Sequence, residues 1–400
     1  MKPTARIIIL GTMLATAVVS CRKTDQAPEK QEVETVSLGV PSLQTRVDVS
    51  SNGTVNIVNN SGGGPTVVND GPALELVGNV ASPVYQGKTL RSTHVDISGT
   101  KLYVSYNTEG ETYLGGIDVF DISSINTPTA VASIILPDVD ISAVSVSNGK
   151  LFFAGAVNRI KFAPPARYLP PAVMGIMNLD ANGIPTGNAT LIGTKGYVGT
   201  DVQAANGKVY YTSAAAGDLV IFDTDGVVEQ TQTADDARSI AVTNSRLAML
   251  TGNGKIMMST HANLSQQTVI HIPIDIKEAK RTCDFIDGNK LTISAGTNGM
   301  RIYDANSGNL LQSLPLPTSV PGANPNDIVT NAVSNNGSIV VSANGAAGLY
   351  VHSKEKATGQ NVLGLVGQID ATGSFNYVKA EGNYIVAATG TKGIKIFRIN

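Results

Sequence analysis

The chain has 400 residues, with only 15% charged side chains, a net charge of −2, 41 glycines and no tryptophan. A balance this close to neutral, with no interleaving of basic and aromatic residues, excludes a nucleic-acid groove. Few Glu and Lys beside many turn and strand formers point to an all-β fold.

At the N-terminus, Lys2 and Arg6 precede an apolar run from Ile7 to Val19. That run is too short to span a bilayer comfortably and reads as an export signal. The junction Val18-Val19-Ser20-Cys21 resembles the lipobox of bacterial lipoproteins. The resemblance implies a signal peptide over 1–20, acylation of Cys21 and a membrane held through a lipid anchor. Cys283 is the only other cysteine, so the mature chain has no intramolecular disulfide, and a buried apolar role is expected for it. Residues 21–70 are polar, with Ser61-Gly62-Gly63-Gly64-Pro65 as a hinge, and read as a flexible tether. Within them, Val47, Val49, Val55 and Ile57 around Asn52-Gly53 suit a small hairpin.

From residue 71 to 400 one pattern repeats. Lys101-Leu102-Tyr103-Val104-Ser105 is followed by Gly115-Gly116-Ile117-Asp118-Val119-Phe120-Asp121, and related pairs of runs start at Lys208, Lys290 and Tyr384. The second strand of each unit opens at Lys101, Lys150, Lys208, Arg246, Lys290, Ser338 and Asn383, a mean spacing of 47 residues. That period fits four-stranded propeller blades. Ser98-Gly99, Asn148-Gly149, Asn206-Gly207, Asp287-Gly288 and Asn336-Gly337 are hairpin turns, because Asn/Asp-Gly supplies the positive φ angles a tight turn needs. The last unit stops after a third strand, while Ala73–Gly78 forms an orphan strand ahead of the first. The expectation is therefore a seven-bladed β-propeller whose ring is closed by the N-terminal strand, with six or eight blades as the alternative.

Gly116-Ile117-Asp118-Val119-Phe120-Asp121-Ile122-Ser123 with Pro128 resembles the LVIVD-repeat propellers of bacterial surface and secreted proteins. Joined to the lipobox, it is similar to lipoproteins of Bacteroidota-type bacteria, which implies the cell envelope and the outer membrane. The motif specifies a blade and brings no activity of its own. It is sharp in the first unit, and Asp223 and Asp304 keep its Asp, whereas Ser259, Ser353 and Arg398 do not.

Enzyme signatures are missing. Without Trp there is no sialidase-like Asp box and no quinoprotein blade motif, and no nucleophile elbow, His-Glu-x-x-His or Cys-x-x-Cys occurs. His94, His261, His271 and His352 lack ligand spacing. What remains is geometric. The starts of the innermost strands carry His94, Asp140, Ser142, Asp201, Arg238, Arg281, Asp327 and Tyr377, mixed acids and bases that would converge at one channel mouth. On the same face a loop over 158–171 presents Arg159, Lys161, Phe162, Arg167 and Tyr168 between stiff prolines, a composition suited to recognition. The expected function is binding or scaffolding by a monomer, with an envelope protein or glycan as partner and no cofactor. The competing reading is a lactonase- or hydrolase-like enzyme, favoured if Asp201, Asp327 and His94 hold a divalent cation at the mouth.

Overall fold

The computed structural model describes residues 30–59, 66–68, 71–110, 112–124, 127–161, 170–272, 280–317, 320–369 and 371–400. Seven antiparallel four-stranded blades surround one axis. From the innermost strand outward, the first is Arg91–Ser98, Lys101–Asn107, Leu114–Asp121 and Thr129–Pro137. The innermost strands of the next five are Val139–Ser147, Gly199–Ala205, Ala237–Val242, Cys283–Ile286 and Ala332–Asn336. The seventh blade is Tyr377–Glu381, Tyr384–Ala388 and Ile394–Ile399, completed by Leu74–Val80. That N-terminal strand pairs antiparallel with Ile394–Ile399, from Leu74 opposite Ile399 to Val80 opposite Ile394. Ring closure therefore uses hydrogen bonds between the two ends of the propeller, and no half-built blade exposes its edge. The seam to the first blade is tied by Ser92, whose N–H donates to the Gly390 carbonyl at 3.0 Å and whose hydroxyl donates to that of Gly393 at 2.7 Å.

Local sequence explains the blades. Asn148-Gly149, Asn206-Gly207 and Asp287-Gly288 turn with positive φ at both residues, whereas at Ser98-Gly99 and Asn336-Gly337 only the glycine is positive. The glycine ahead of a third strand is a steric requirement. A Cβ on Gly393 (φ +86°) would lie 1.9 Å from the Val80 carbonyl oxygen, and one on Gly299 (φ +75°) 2.2 Å from that of Leu314. Alternating apolar residues then fill the space between neighbouring blades. Phe152, Met174 and Ile192 of the second blade, for example, pack on Val209, Tyr211 and Phe222 of the third. Cys283 is buried among such residues, and burial pushes its thiol pKa up.

The region expected to be a tether behaves differently where it is described. Lys30–Val33 pairs with the outer strand of the second blade, and Val36–Ser37 with that of the first. Val47–Asp48 and Gly53–Val55 both lie along Leu74–Val80 rather than against each other, so the expected hairpin is not formed. Ile57–Asn59 pairs with the outer strand of the sixth blade. Residues 30–59 thus form a strap over the outer edges of four consecutive blades. The physical reason is that outer edges carry unpaired backbone groups, and a polar segment can satisfy them with only a few apolar anchors. One anchor is Leu43, fully buried in the short helix Val40–Gln44.

A polar anchor is added by Arg46. Its Nη2 lies 2.8 Å from both carboxylate oxygens of Asp118, a side chain only 1% exposed, and its Nη1 donates to the Ala81 carbonyl at 2.9 Å. Asp118 is the central acid of the Gly-Ile-Asp-Val-Phe-Asp run, so the repeat motif and the strap are locked together. Burial works against the Arg46 cation, but Asp118 outweighs it and its pKa is raised. Removing one partner leaves a buried charge uncompensated, so Arg46→Ala is expected to lower the unfolding free energy by about 3–5 kcal/mol. Urea denaturation measures this, and a loss below about 1 kcal/mol would mean that the strap does not hold the blade.

Candidate functional site: the axial channel and its mouth

The innermost strands present their free edges to the axis, and a belt of side chains ties each one to the next. Acceptor oxygens of Asp96, Ser145, Asp201, Ser239, Asp284 and Ser334 receive the backbone N–H of Val146, Ala204, Ile240, Cys283, Asn335 and Ala380, at 2.8, 3.1, 2.9, 3.4, 2.7 and 3.0 Å. Each bond crosses from one blade to the following one. The seventh step is ionic, with Lys379 Nζ 3.9 Å from Asp96 and 3.1 Å from Glu381. Burial works against the Lys379 ammonium, but Asp96, Glu381 and Asp284 outweigh it and raise its pKa. Burial also pushes Asp96 up to about 6, with Lys379 and the Val146 N–H pulling it back.

The channel holds two cavities. The inner one, about 240 Å³, is lined by the belt, including Asp96, Asp201, Asp284, Lys379 and Glu381. The mouth cavity, about 390 Å³, receives side chains from every blade. Four of these come from one device. β-bulges in the first four innermost strands fall at Thr93, Ser142, Thr200 and Arg238, and all four residues line the mouth. A bulge inserts one residue and re-aims its side chain. The last three blades contribute Lys280 and Arg281, Asn331, and Asn376.

Lys280 forms the floor between the cavities. Its Nζ donates across the channel to the carbonyls of Thr93 (2.9 Å) and Ser142 (3.1 Å) and lies 4.8 Å from the Tyr377 ring centroid. Burial lowers its pKa to about 8, against the pull of Asp201. His94 stacks on Tyr377 with ring centroids 4.1 Å apart, and its Nε2 is 3.8 Å from Asp201. Burial, then Lys280 and Lys379, hold the imidazole well below its usual range. The ring is neutral at pH 7, and its contact with Asp201 is not an ion pair. Burial raises the Asp201 carboxyl, and Tyr377 stays a phenol because burial raises it strongly.

His94, Asp201 and Tyr377 therefore meet inside the channel, and Ser142, Arg238 and Arg281 meet at the mouth. Two residues expected there are elsewhere. Asp140 turns to the first blade instead and accepts the N–H groups of Leu114 (2.9 Å) and Thr108 (3.5 Å). Asp327 is exposed on a single turn, Pro325–Asp327, whose carbonyl receives the Ala346 N–H, and it lines neither cavity. The trio of His94, Asp201 and Asp327 is thus not assembled. Among the described residues no group of three or more His, Cys, Asp and Glu side chains is arranged to hold a metal ion.

The mixture of acids and bases is also sorted by depth, with Arg91, Arg238, Lys280 and Arg281 at the mouth and the acids in the inner channel. Sequence reasoning missed Arg91, Lys280, Asn331 and Asn376. Each stands one to three residues ahead of a residue that was singled out or of its strand, and shifting the repeat alignment back finds them. Arg159 lies on the turn Arg159–Lys161, beside a groove lined by Tyr113, Ile160, Pro170, Pro171, Lys195 and Tyr197. Phe162, Arg167 and Tyr168 lie outside the described residues, as do the signal segment, Cys21 and the 61–65 hinge.

No family model matches the chain, and no curated protein matches it either. Solved structures do. The U3-55K structure superposes with a TM-score of 0.58 at 12% identity, covering 82% of this chain and 100% of that one. The RRP9 WD40 repeats give 0.58 at 11%, covering 86% and 100%, and the WD40 propeller domain of Doa1 gives 0.54 at 11%, covering 82% and 97%. At such identities the likeness establishes the propeller fold and nothing finer.

The misplaced acid yields a pH test. Burial pushes the Asp140 carboxyl from the ordinary 3.8 to about 6, with the Leu114 and Thr108 N–H groups opposing. A raised carboxyl is a cost to stability above pH 6 that disappears as pH falls towards 4. Asp140→Asn keeps the acceptor oxygen and removes the charge. The variant is expected to melt a few degrees higher than wild type at pH 7.5, with the gap closing by pH 4. An unchanged gap across that range would show that Asp140 is not the titrating group.

Proposed function

We propose that this chain is an exported lipoprotein of the LVIVD-repeat kind, anchored through Cys21 in the outer membrane. Its monomeric propeller acts as a binding module for an envelope protein or glycan. The observation that carries this reading is the mouth cavity, to which all seven blades contribute side chains. A repeat scaffold gains a single convergent site only at its axis, and its variable loops flank that site. On the same face, Ile160 is 80% and Tyr197 is 68% exposed beside Arg159. Exposed aromatic and Arg side chains carry interface energy more often than other types. A channel-mouth hydrolase has less support, because Asp327 stands apart from His94 and Asp201.

Two experiments separate the parts of this reading. Replacing Arg159, Arg167 and Tyr168 together by Ala is expected to abolish co-purification of the captured partner while the melting temperature stays within a few degrees. Unchanged capture with a sharp fall in melting temperature would make the loop packing material. The anchor is tested independently. Cys21→Ser is expected to move the protein from the membrane fraction to the soluble fraction, and persistence in the membrane would remove the lipoprotein assignment.

A further inference from the structure

We propose that the mouth cavity binds a carboxylated sugar, an acidic residue of a glycan chain. This rests on reading the mouth face as the interaction surface and narrows the partner to one chemistry. Charge is the first argument. Arg91, Arg238, Lys280 and Arg281 line the cavity, and among the described residues no carboxylate does. The acids that hold two of these cations sit outside the lining. Glu109 is 2.8 Å from Arg91, and Asp236 engages Arg238 through Nε at 2.8 Å and Nη2 at 3.1 Å. Those contacts orient the guanidiniums without using all their donors. Arg238 Nη1 makes no hydrogen bond among the described residues. A planar guanidinium fixed in this way is suited to a carboxylate, which it grips through two parallel N–H donors.

The rest of the lining selects the body that carries the acid. Asn107, Asn331 and Asn376 supply amides and Ser142 a hydroxyl, while the Thr93 and Thr200 hydroxyls, which donate to the Ile141 and Ala237 carbonyls, supply acceptor lone pairs. Among the described residues Val198 is the one apolar side chain in the lining. An acidic peptide brings an aliphatic stem and a backbone that need apolar cover. A sugar ring brings several hydroxyls that both donate and accept, and amides and hydroxyls complement these. At about 390 Å³ the cavity lies near the small end of the range of roughly 300–1,000 Å³ for ligand pockets, room for about one or two sugar units.

The surroundings fit the same ligand. Lys280 spans the floor to the Thr93 and Ser142 carbonyls. It therefore stands between a bound anion and the carboxylates of the inner channel. Next to Val198 at the rim, Tyr197 exposes 68% of its surface, an aromatic face on which the following sugar unit of a chain can stack.

The test uses the full chain and three probes in isothermal titration calorimetry: trigalacturonate, its methyl ester and hexa-aspartate. The expected result is binding of trigalacturonate that weakens with added salt and falls at least tenfold for the ester. Arg238→Gln and, independently, Asn376→Asp should each weaken trigalacturonate binding to a similar degree, with thermal melting confirming that both variants fold. No trigalacturonate binding by wild type, equal binding of the ester, tighter binding of hexa-aspartate, or normal binding by both folded variants would each overturn the proposal. If sugar binding is absent while partner capture still depends on Arg159, Arg167 and Tyr168, this inference falls alone. If capture is also indifferent to those residues, the interaction-face reading falls with it.

Discussion

The structure depends on satisfying the free edges of seven innermost strands around a wet axis. Aligned strand edges at the centre of a ring leave N–H groups pointing at one another's side chains, and a buried unpaired donor costs about 1–3 kcal/mol. Here short oxygen acceptors solve the problem stepwise. Asp96, Ser145, Asp201, Ser239, Asp284 and Ser334 each receive an N–H from the next blade. The chain has no Trp, so blade-to-blade register is fixed without indole stacking, by aliphatic, Phe and Tyr side chains between sheets and by this polar belt at the hub.

Placing three carboxylates in the belt has an electrostatic consequence. Burial raises Asp96, Asp201 and Asp284, and the two ammonium groups nearby, Lys280 and Lys379, offset part of that penalty. The two cations then divide the channel. Lys379 closes the belt within the inner cavity, whereas Lys280 reaches across from the fifth blade to the first two. The acids of the inner cavity thus outnumber the one ammonium among them, and Arg91, Arg238 and Arg281 join Lys280 on the basic side at the mouth.

Much of the ring was legible because its signals are local. A Lys or Arg opening a β-branched run, an Asn/Asp-Gly turn before it and a glycine ahead of the third strand recur often enough to count blades. The orphan strand at residues 73–78 could be matched to the unit that lacked one. The strap over 30–59 was not legible, because its strands are two to four residues long. Its attachment relies on long-range partners such as Arg46 with Asp118, which no window of sequence contains. At the channel, bulges at Thr93, Ser142, Thr200 and Arg238 shift the inward register in four blades but not in the other three. A uniform period therefore placed Asp140 at the mouth and passed over Arg91, whereas Asp327 was taken for the start of a strand that begins only at Ala332.

The strap also decides how the molecule would respond to mechanical load. A pull on the chain ahead of Lys30 first meets the short pairings on the second and first blades, then the Arg46–Asp118 lock, and then the contacts on the seventh and sixth. These give way in sequence, because each is a few residues long and loaded from one end. Leu74–Val80, which closes the ring, lies behind all of them along the chain. Tension is therefore spent first on a peripheral fastening, and the pairing of Leu74–Val80 with Ile394–Ile399 is the last in chain order to be pulled on through the backbone.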